Sequence, residues 1–135
     1  MSTPLANLMV VDDDPEFLEN CEAALTAAGY RVILALTGGQ SRSLTEALGH
    51  TLDLALIDLV MPDENGLEII RSFRQTAPEL RVIAISEHAS PADLETAEYF
   101  GATATLRKPI SPEWLTTIQR ALGERPRDAA MRREA

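Results

Sequence analysis

The sequence predicts an α/β fold: a five-stranded parallel sheet with helices on both faces. Three observations carry this. Short apolar runs alternate with segments of helical period from about residue 8 to residue 122. The runs are apolar throughout rather than at every second residue, as strands covered on both faces require. Pro, Gly, Ser and Asp punctuate the junctions. Such an alternation favours parallel pairing through right-handed crossovers.

The first strand is residues 8–11, LMVV, and three acids end it: Asp12, Asp13 and Asp14. Pro15 opens a helix that Asp14 is placed to cap. Phe17, Leu18, Cys21, Leu25 and Ala28 recur at helical spacing, and Gly29 stops the helix. Residues 31–36, RVILAL, read as the second strand, and Thr37-Gly38-Gly39 as a loop. A weaker helix over 41–48 follows, with Leu44, Ala47 and Leu48 as its expected buried face.

The third strand, residues 52–58, is the stretch around which the chain is organised. Leu54, Ala55, Leu56 and Ile57 are apolar, and Asp58 stands where the run stops. Met61-Pro62 break the strand, and Asn65-Gly66 signal a turn. Leu67, Ile69, Ile70 and Phe73 give an amphipathic helix that ends before Pro78. The fourth strand, 81–85, ends on Ser86. Pro91 starts the next helix with Ser90 placed to cap it, and Leu94, Ala97 and Tyr99 are expected on its packed side. The fifth strand is expected over 102–106 and leads into Arg107-Lys108-Pro109. Ser111 is expected to cap the last helix, with Pro112 at its first position and a stripe of Trp114, Leu115, Ile118 and Leu122.

The chain has 135 residues, enough for one domain with a real core. We expect that domain over residues 1–122 and a polar, Arg-rich tail or linker start over 123–135. Five of the twelve basic residues lie from Arg120 onward, so the body is more acidic than the net charge of −9 indicates. That charge argues against a nucleic-acid surface and against adhesion to anionic membranes. One cysteine, Cys21, allows no disulfide within the chain. No apolar run reaches membrane-spanning length and no signal peptide is evident, so a cytoplasmic location is the expectation.

Parallel strands place their carboxyl ends on one edge, where open α/β sheets bind ligands. Along that edge the sequence offers Asp12 and Asp13, then Asp58, Ser86 and Lys108. Singly, each has a plain explanation: acids and serines after strands cap helices, and lysines are usually solvated. Yet Lys108 is the sole lysine, the other eleven basic residues being arginine. Three carboxylates together repel one another and call for a cation. Oxygen donors suit Mg²⁺. Such an ion would neutralise a phosphoryl group approaching Asp58, with Lys108 and Ser86 to hold its oxygens. A flavin carrier on the same fold would want a Ser/Thr/Gly phosphate loop where three aspartates stand. A metal-dependent aspartyl phosphatase would place its nucleophile at the first strand and need more chain.

VVDDDP, LIDLVMPDENG, AIS and LRKP, in this order and spacing, resemble a response-regulator receiver domain of two-component signalling. The resemblance implies the flavodoxin-like strand order 2-1-3-4-5. It implies Asp58 as phosphoacceptor and Asp12 and Asp13 as the Mg²⁺-binding pair, Asp13 the more direct ligand. The Val60 backbone carbonyl completes the ligands, Ser86 is the switch hydroxyl, and Lys108 contacts the phosphoryl group, with a cis Lys108-Pro109 bond.

The implied donor is a histidine kinase or phosphotransfer protein. The implied output is a changed partner preference on the face of helix 4, strand 5 and helix 5, with homodimerisation on phosphorylation left open. The resemblance implies no enzyme beyond self-phosphorylation from a donor and self-dephosphorylation. The chain departs from the family at Thr105, where an aromatic is common three residues before the lysine. Val60 and His88 occupy the positions two after Asp58 and Ser86. Alternatives kept open are a scaffold working without phosphorylation, and the receiver part of a longer regulator with a DNA-binding or enzymatic output domain.

Overall fold

The computed structural model describes residues 3–62, 64–88 and 90–123. The expected tail, Gly123 apart, lies outside these. Five strands, β1 (Asn7–Val11), β2 (Arg31–Ala35), β3 (Leu54–Asp58), β4 (Arg81–Ser86) and β5 (Ala104–Arg107), alternate with five helices. The helices are α1 (Pro15–Ala27), α2 (Gly38–Leu48), α3 (Gly66–Thr76), α4 (Pro91–Tyr99) and α5 (Pro112–Ala121). All strand pairs are parallel and the order is β2-β1-β3-β4-β5, as expected.

Although the strand interiors read in sequence as largely apolar runs, successive side chains still go to opposite faces. Met9, Val11, Ala55, Ile57, Val82 and Ala84 face one core, with Ile69, Ile70 and Phe73 of α3 and Ala97 of α4. Leu8, Val10, Leu54, Leu56, Ile83 and Ile85 face the other, with Phe17, Leu18, Cys21 and Leu25 of α1 and Trp114 and Ile118 of α5. Burial of the Cys21 thiol, with the charge of Asp12 second, pushes its pKa up to about 12. It is therefore a neutral core group at ordinary pH.

Local expectations are corrected at α2, α4, β5 and Ser111. Helix α2 begins at Gly38, because the Thr37 hydroxyl accepts from the Gln40 amide and caps it there. Its buried positions are Gly38, Ser41 and Thr45; Leu44 and Leu48 are half-buried and Ala47 is exposed. The two hydroxyls can be buried because they bond the carbonyls of Gly38 and Ser41. On α4, Tyr99 is 85% exposed and Phe100 packs on the core instead, one turn beyond Ala97. Strand β5 starts two residues later than expected. Ser111 precedes α5 without a side-chain cap; its carbonyl accepts from the Trp114 amide. Asp14 and Ser90 do cap as expected, Ser90 in a reciprocal box with Asp93.

Candidate functional site

Register decides what meets at the carboxyl edge. Val11 pairs Ile57, so Asp12 and Asp58 follow side by side. Asp58 pairs Ile85, and Ser86 pairs Arg107, so Ser86 and Lys108 each stand one residue further along. Asp58 shares its face with Leu54 and Leu56, the side of α1 and α5, while Ser86 shares that of Val82 and Ala84. The hydroxyl thus approaches the site from the opposite face of the sheet.

The two buried carboxylates are held alike. Asp12 Oδ1 accepts the Asp14 amide at 2.9 Å, and Asp58 Oδ1 accepts the Val60 amide at 3.0 Å. Each is an acid gripping the backbone two residues on. Their other oxygens face Lys108, whose Nζ lies 2.6 Å from Asp12 Oδ2 and 3.0 Å from Asp58 Oδ2. The contact to Asp58 is an aligned hydrogen bond. The contact to Asp12 is the shorter of the two and pairs the ammonium with a fully buried carboxylate oxygen.

Burial raises the Asp12 pKa; Lys108 and the Asp14 amide oppose it, Asp58 adds to it, and the net shift is upward. For Lys108, burial works downward, but its two carboxylates together outweigh this and raise it. The ammonium also lies 4.5 Å from the centroid of the Phe17 ring, on the face where cations are attracted. Phe17 in turn meets Trp114 edge to face, and the Trp114 indole N–H donates to the Arg107 carbonyl at 2.9 Å. Phe17 and Trp114 read in sequence as core residues. No local signal marks them as the seat of a lysine far away in the chain.

Asp13 is exposed, but its carboxylate joins the cluster: one oxygen each from Asp12, Asp13 and Asp58 lie within 4.8 Å of one another. All six residues singled out in sequence, Asp12, Asp13, Asp58, Val60, Ser86 and Lys108, line one cleft of about 390 Å³, with His88 on its wall. The Lys108-Pro109 bond is cis. Thr105 is half-buried and lines a separate cavity of about 210 Å³, which shares Ser86 with the cleft.

The cleft fits a hard divalent cation. Three carboxylates against one ammonium leave a formal excess of two negative charges. The donors are all oxygen, the set that Mg²⁺ takes.

The open parallel sheet with acids and an ammonium at its carboxyl edge places the molecule among the α/β domains that bind ligands there. A family model described as the response regulator receiver domain matches residues 8–120, and the chain belongs to that family. It is 30% identical over 118 residues to the photosynthetic apparatus regulatory protein RegA of Rhodobacter capsulatus, covering 87% of this chain and 63% of that protein. It is 26% identical over 111 residues to the response regulator SaeR of Staphylococcus aureus, covering 82% and 47%. The chain thus spans about half to five-eighths of these relatives' length.

Among solved structures, a CheY-like receiver domain protein from Methanospirillum hungatei superposes with a TM-score of 0.81 at 29% identity, covering 88% of this chain and 94% of that one. The chemotaxis protein CheY4 of Vibrio cholerae gives 0.79 at 27%, covering 86% and 98%. The chain is therefore a receiver domain of the two-component response regulators, with an architecture consistent with phosphorylation-dependent switching. Domains of this family interact with histidine kinases and downstream targets, and they typically bind Mg²⁺ at an acidic cluster. No helix among the described residues is long and apolar enough to cross a membrane.

Proposed function

We propose that Asp58 accepts a phosphoryl group from the phosphohistidine of a histidine kinase or phosphotransfer protein. The observation that supports this best is the bridge from Lys108 Nζ to both Asp12 and Asp58 beside a third carboxylate. Asp12, Asp13, Asp58 and the Val60 carbonyl would hold Mg²⁺, which when bound offsets the charge of the carboxylates and of the arriving phosphoryl group.

The Asp58 carboxylate attacks phosphorus in line. The P–N bond to the donor imidazole breaks, and its electron pair stays on the imidazole nitrogen. The Val60 amide holds Asp58 Oδ1 and fixes the direction of attack. Lys108, anchored over Phe17, is close enough to pair with a phosphoryl oxygen once the group is on Asp58. Ser86, across the cleft, donates its hydroxyl to another.

Movement of Ser86 toward the phosphoryl group shifts the loop after β4 and alters the surface of α4, β5 and α5 that partners read. With Thr105 in place of a bulky ring, this shift runs through backbone and α4. In our reading the chain's own chemistry is limited to taking and losing this phosphoryl group, and its output is protein binding.

The test is incubation with Mg²⁺ and a small phosphodonor. The expected result is one added phosphoryl mass on the wild type and none on Asp58→Asn. A wild type that stays unlabelled, while beryllofluoride also leaves its spectrum unchanged, would favour the phosphorylation-independent scaffold.

A further inference from the structure

The segment joining β3 to α3 carries Val60 into the cleft, and its two ends are closed on each other. Val60 and Asn65 form an antiparallel bridge, and the Gly66 amide donates to the Leu59 carbonyl at 3.1 Å. That bond sits one residue outside the bridged pair. The Val60 amide and carbonyl therefore face away from Asn65. The amide is the one bonded to Asp58. Gly66 is required here, since a Cβ would lie 2.2 Å from the Asp58 carbonyl oxygen.

The outer end of this closed segment is tied to a different element. Arg42 of α2 grips Glu64 with both arms of its guanidinium: Nη1 donates to Oε1 at 2.8 Å, and Nη2 meets Oε2. Bidentate forks of this kind fix geometry as well as adding energy. The Glu64 carboxylate sits in a seat that a glycine makes. A Cβ on Gly38 would lie 2.1 Å from Glu64 Oε1. Hydrogen bonding to Arg42 holds the Glu64 pKa down, and the same contact holds that of Arg42 up. Neither residue lines the cleft, and nothing in the phosphoryl chemistry uses them.

We propose that Arg42 and Glu64, seated on Gly38, are positioning residues that hold the Val60 carbonyl in place for the divalent cation. The path is short: Glu64 precedes Asn65, Asn65 pairs Val60, and Val60 is tied to Asp58. This rests on the reading that the Val60 carbonyl is a Mg²⁺ ligand.

Gly38→Ala is the cleanest probe. Alanine suits a helix better than glycine, so α2 is not weakened. The nearest atoms in its way are the carboxylate end of Glu64, a flexible side chain that can be displaced without breaking the backbone. Ile69 Cδ1, 3.1 Å from the added carbon, must give by a few tenths of an ångström, which the melting temperature reads. Mg²⁺ titration calorimetry compares wild type, Gly38→Ala, Glu64→Gln and the exchange Arg42→Glu with Glu64→Arg, with melting temperatures measured without Mg²⁺ alongside. We expect Mg²⁺ binding weakened by about tenfold in the first two variants, the low end for groups that orient a ligand. Labelling from a small phosphodonor at saturating Mg²⁺ should reach the wild-type rate. The exchange should recover part of the lost affinity.

Unchanged Mg²⁺ affinity in Gly38→Ala and Glu64→Gln would overturn the proposal while leaving Asp58 chemistry intact. So would losses that follow the fall in melting temperature with no recovery in the exchange. A wild type that binds no Mg²⁺ would overturn the underlying reading instead.

Discussion

The two edges of the sheet make opposite use of charge. At the amino edge, Arg31 and Arg81 are exposed, and Asp53 has a simple structural task, accepting the Asn7 amide at 2.8 Å. That edge carries a depression of about 400 Å³, lined among others by Thr45, His50, Asp53 and Arg81, and as large as the cleft at the other edge. At the carboxyl edge, Asp12 is fully buried and Asp58 and Ser86 nearly so. Cavity size therefore does not separate the two. What separates them is burial of like charges that the protein alone does not satisfy. Groups held this way cost stability and persist where function needs them.

The largest expected effect breaks the comparison outright. Asp58→Asn should abolish phosphoryl labelling by mass spectrometry, and persisting label would move the acceptor elsewhere. Next is Lys108→Met, which leaves two buried carboxylates without their counter-charge. Urea titration without Mg²⁺ should show a loss of about 3 kcal/mol. Added Mg²⁺ should restore part of it, and a variant as stable as wild type would mean that the ammonium is dispensable.

Asp12→Asn goes the other way. It removes a carboxylate whose pKa burial raises, so the Mg²⁺-free protein should gain about 1 kcal/mol near neutral pH, while Mg²⁺ binding is lost. The same variant should lower the Cys21 pKa, because the Asp12 charge is its second cause after burial. That thiol sets a pH window. Its folded pKa is raised from 9.0 to about 12, so the unfolded chain ionises first. The stability Cys21 contributes is whole below pH 9 and is lost as pH rises through about 12. In Asp12→Asn the decline should be shallower, as followed by thiolate absorbance and denaturation. An unchanged thiolate titration would show that the field of the carboxyl edge does not reach α1.

Smaller again is Val60, 75% exposed at the cleft. An apolar side chain there cannot orient an attacking water, so the phosphoryl group should last minutes rather than seconds. Val60→Asn should speed its loss by up to about tenfold, a barrier change of about 1.4 kcal/mol. A wild-type half-life of seconds would refute this. The smallest effect belongs to the other edge. Asp53→Asn should leave labelling unchanged and shift stability by about 1 kcal/mol at most, the worth of one hydrogen bond. A labelling defect there would erase the contrast between the edges.

Much of this was legible before any coordinates. The βα alternation and apolar strands were enough for the strand count, and strand-end positions were enough to nominate Asp12, Asp13, Asp58, Ser86 and Lys108. Less legible were features that depend on which side a residue turns. Tyr99 looked like a core residue until Phe100 took that place, and Ala47 gave way to Ser41 and Thr45, whose hydroxyls bond to their own helix. Strands whose interiors are largely apolar runs conceal the alternation between faces, so the arrival of Ser86 opposite Asp58 could not be read off.

By itself, then, the sequence determined the fold class and the chemical inventory of the edge, because local period, turn residues and strand ends are written over a few neighbouring positions. Only the tertiary structure decided that Lys108 reaches both Asp12 and Asp58, that Phe17 carries it, and that Arg42 grips Glu64. These contacts join elements far apart in the chain. They exist because sheet register and two packed cores bring those elements together, which no local pattern of residues encodes.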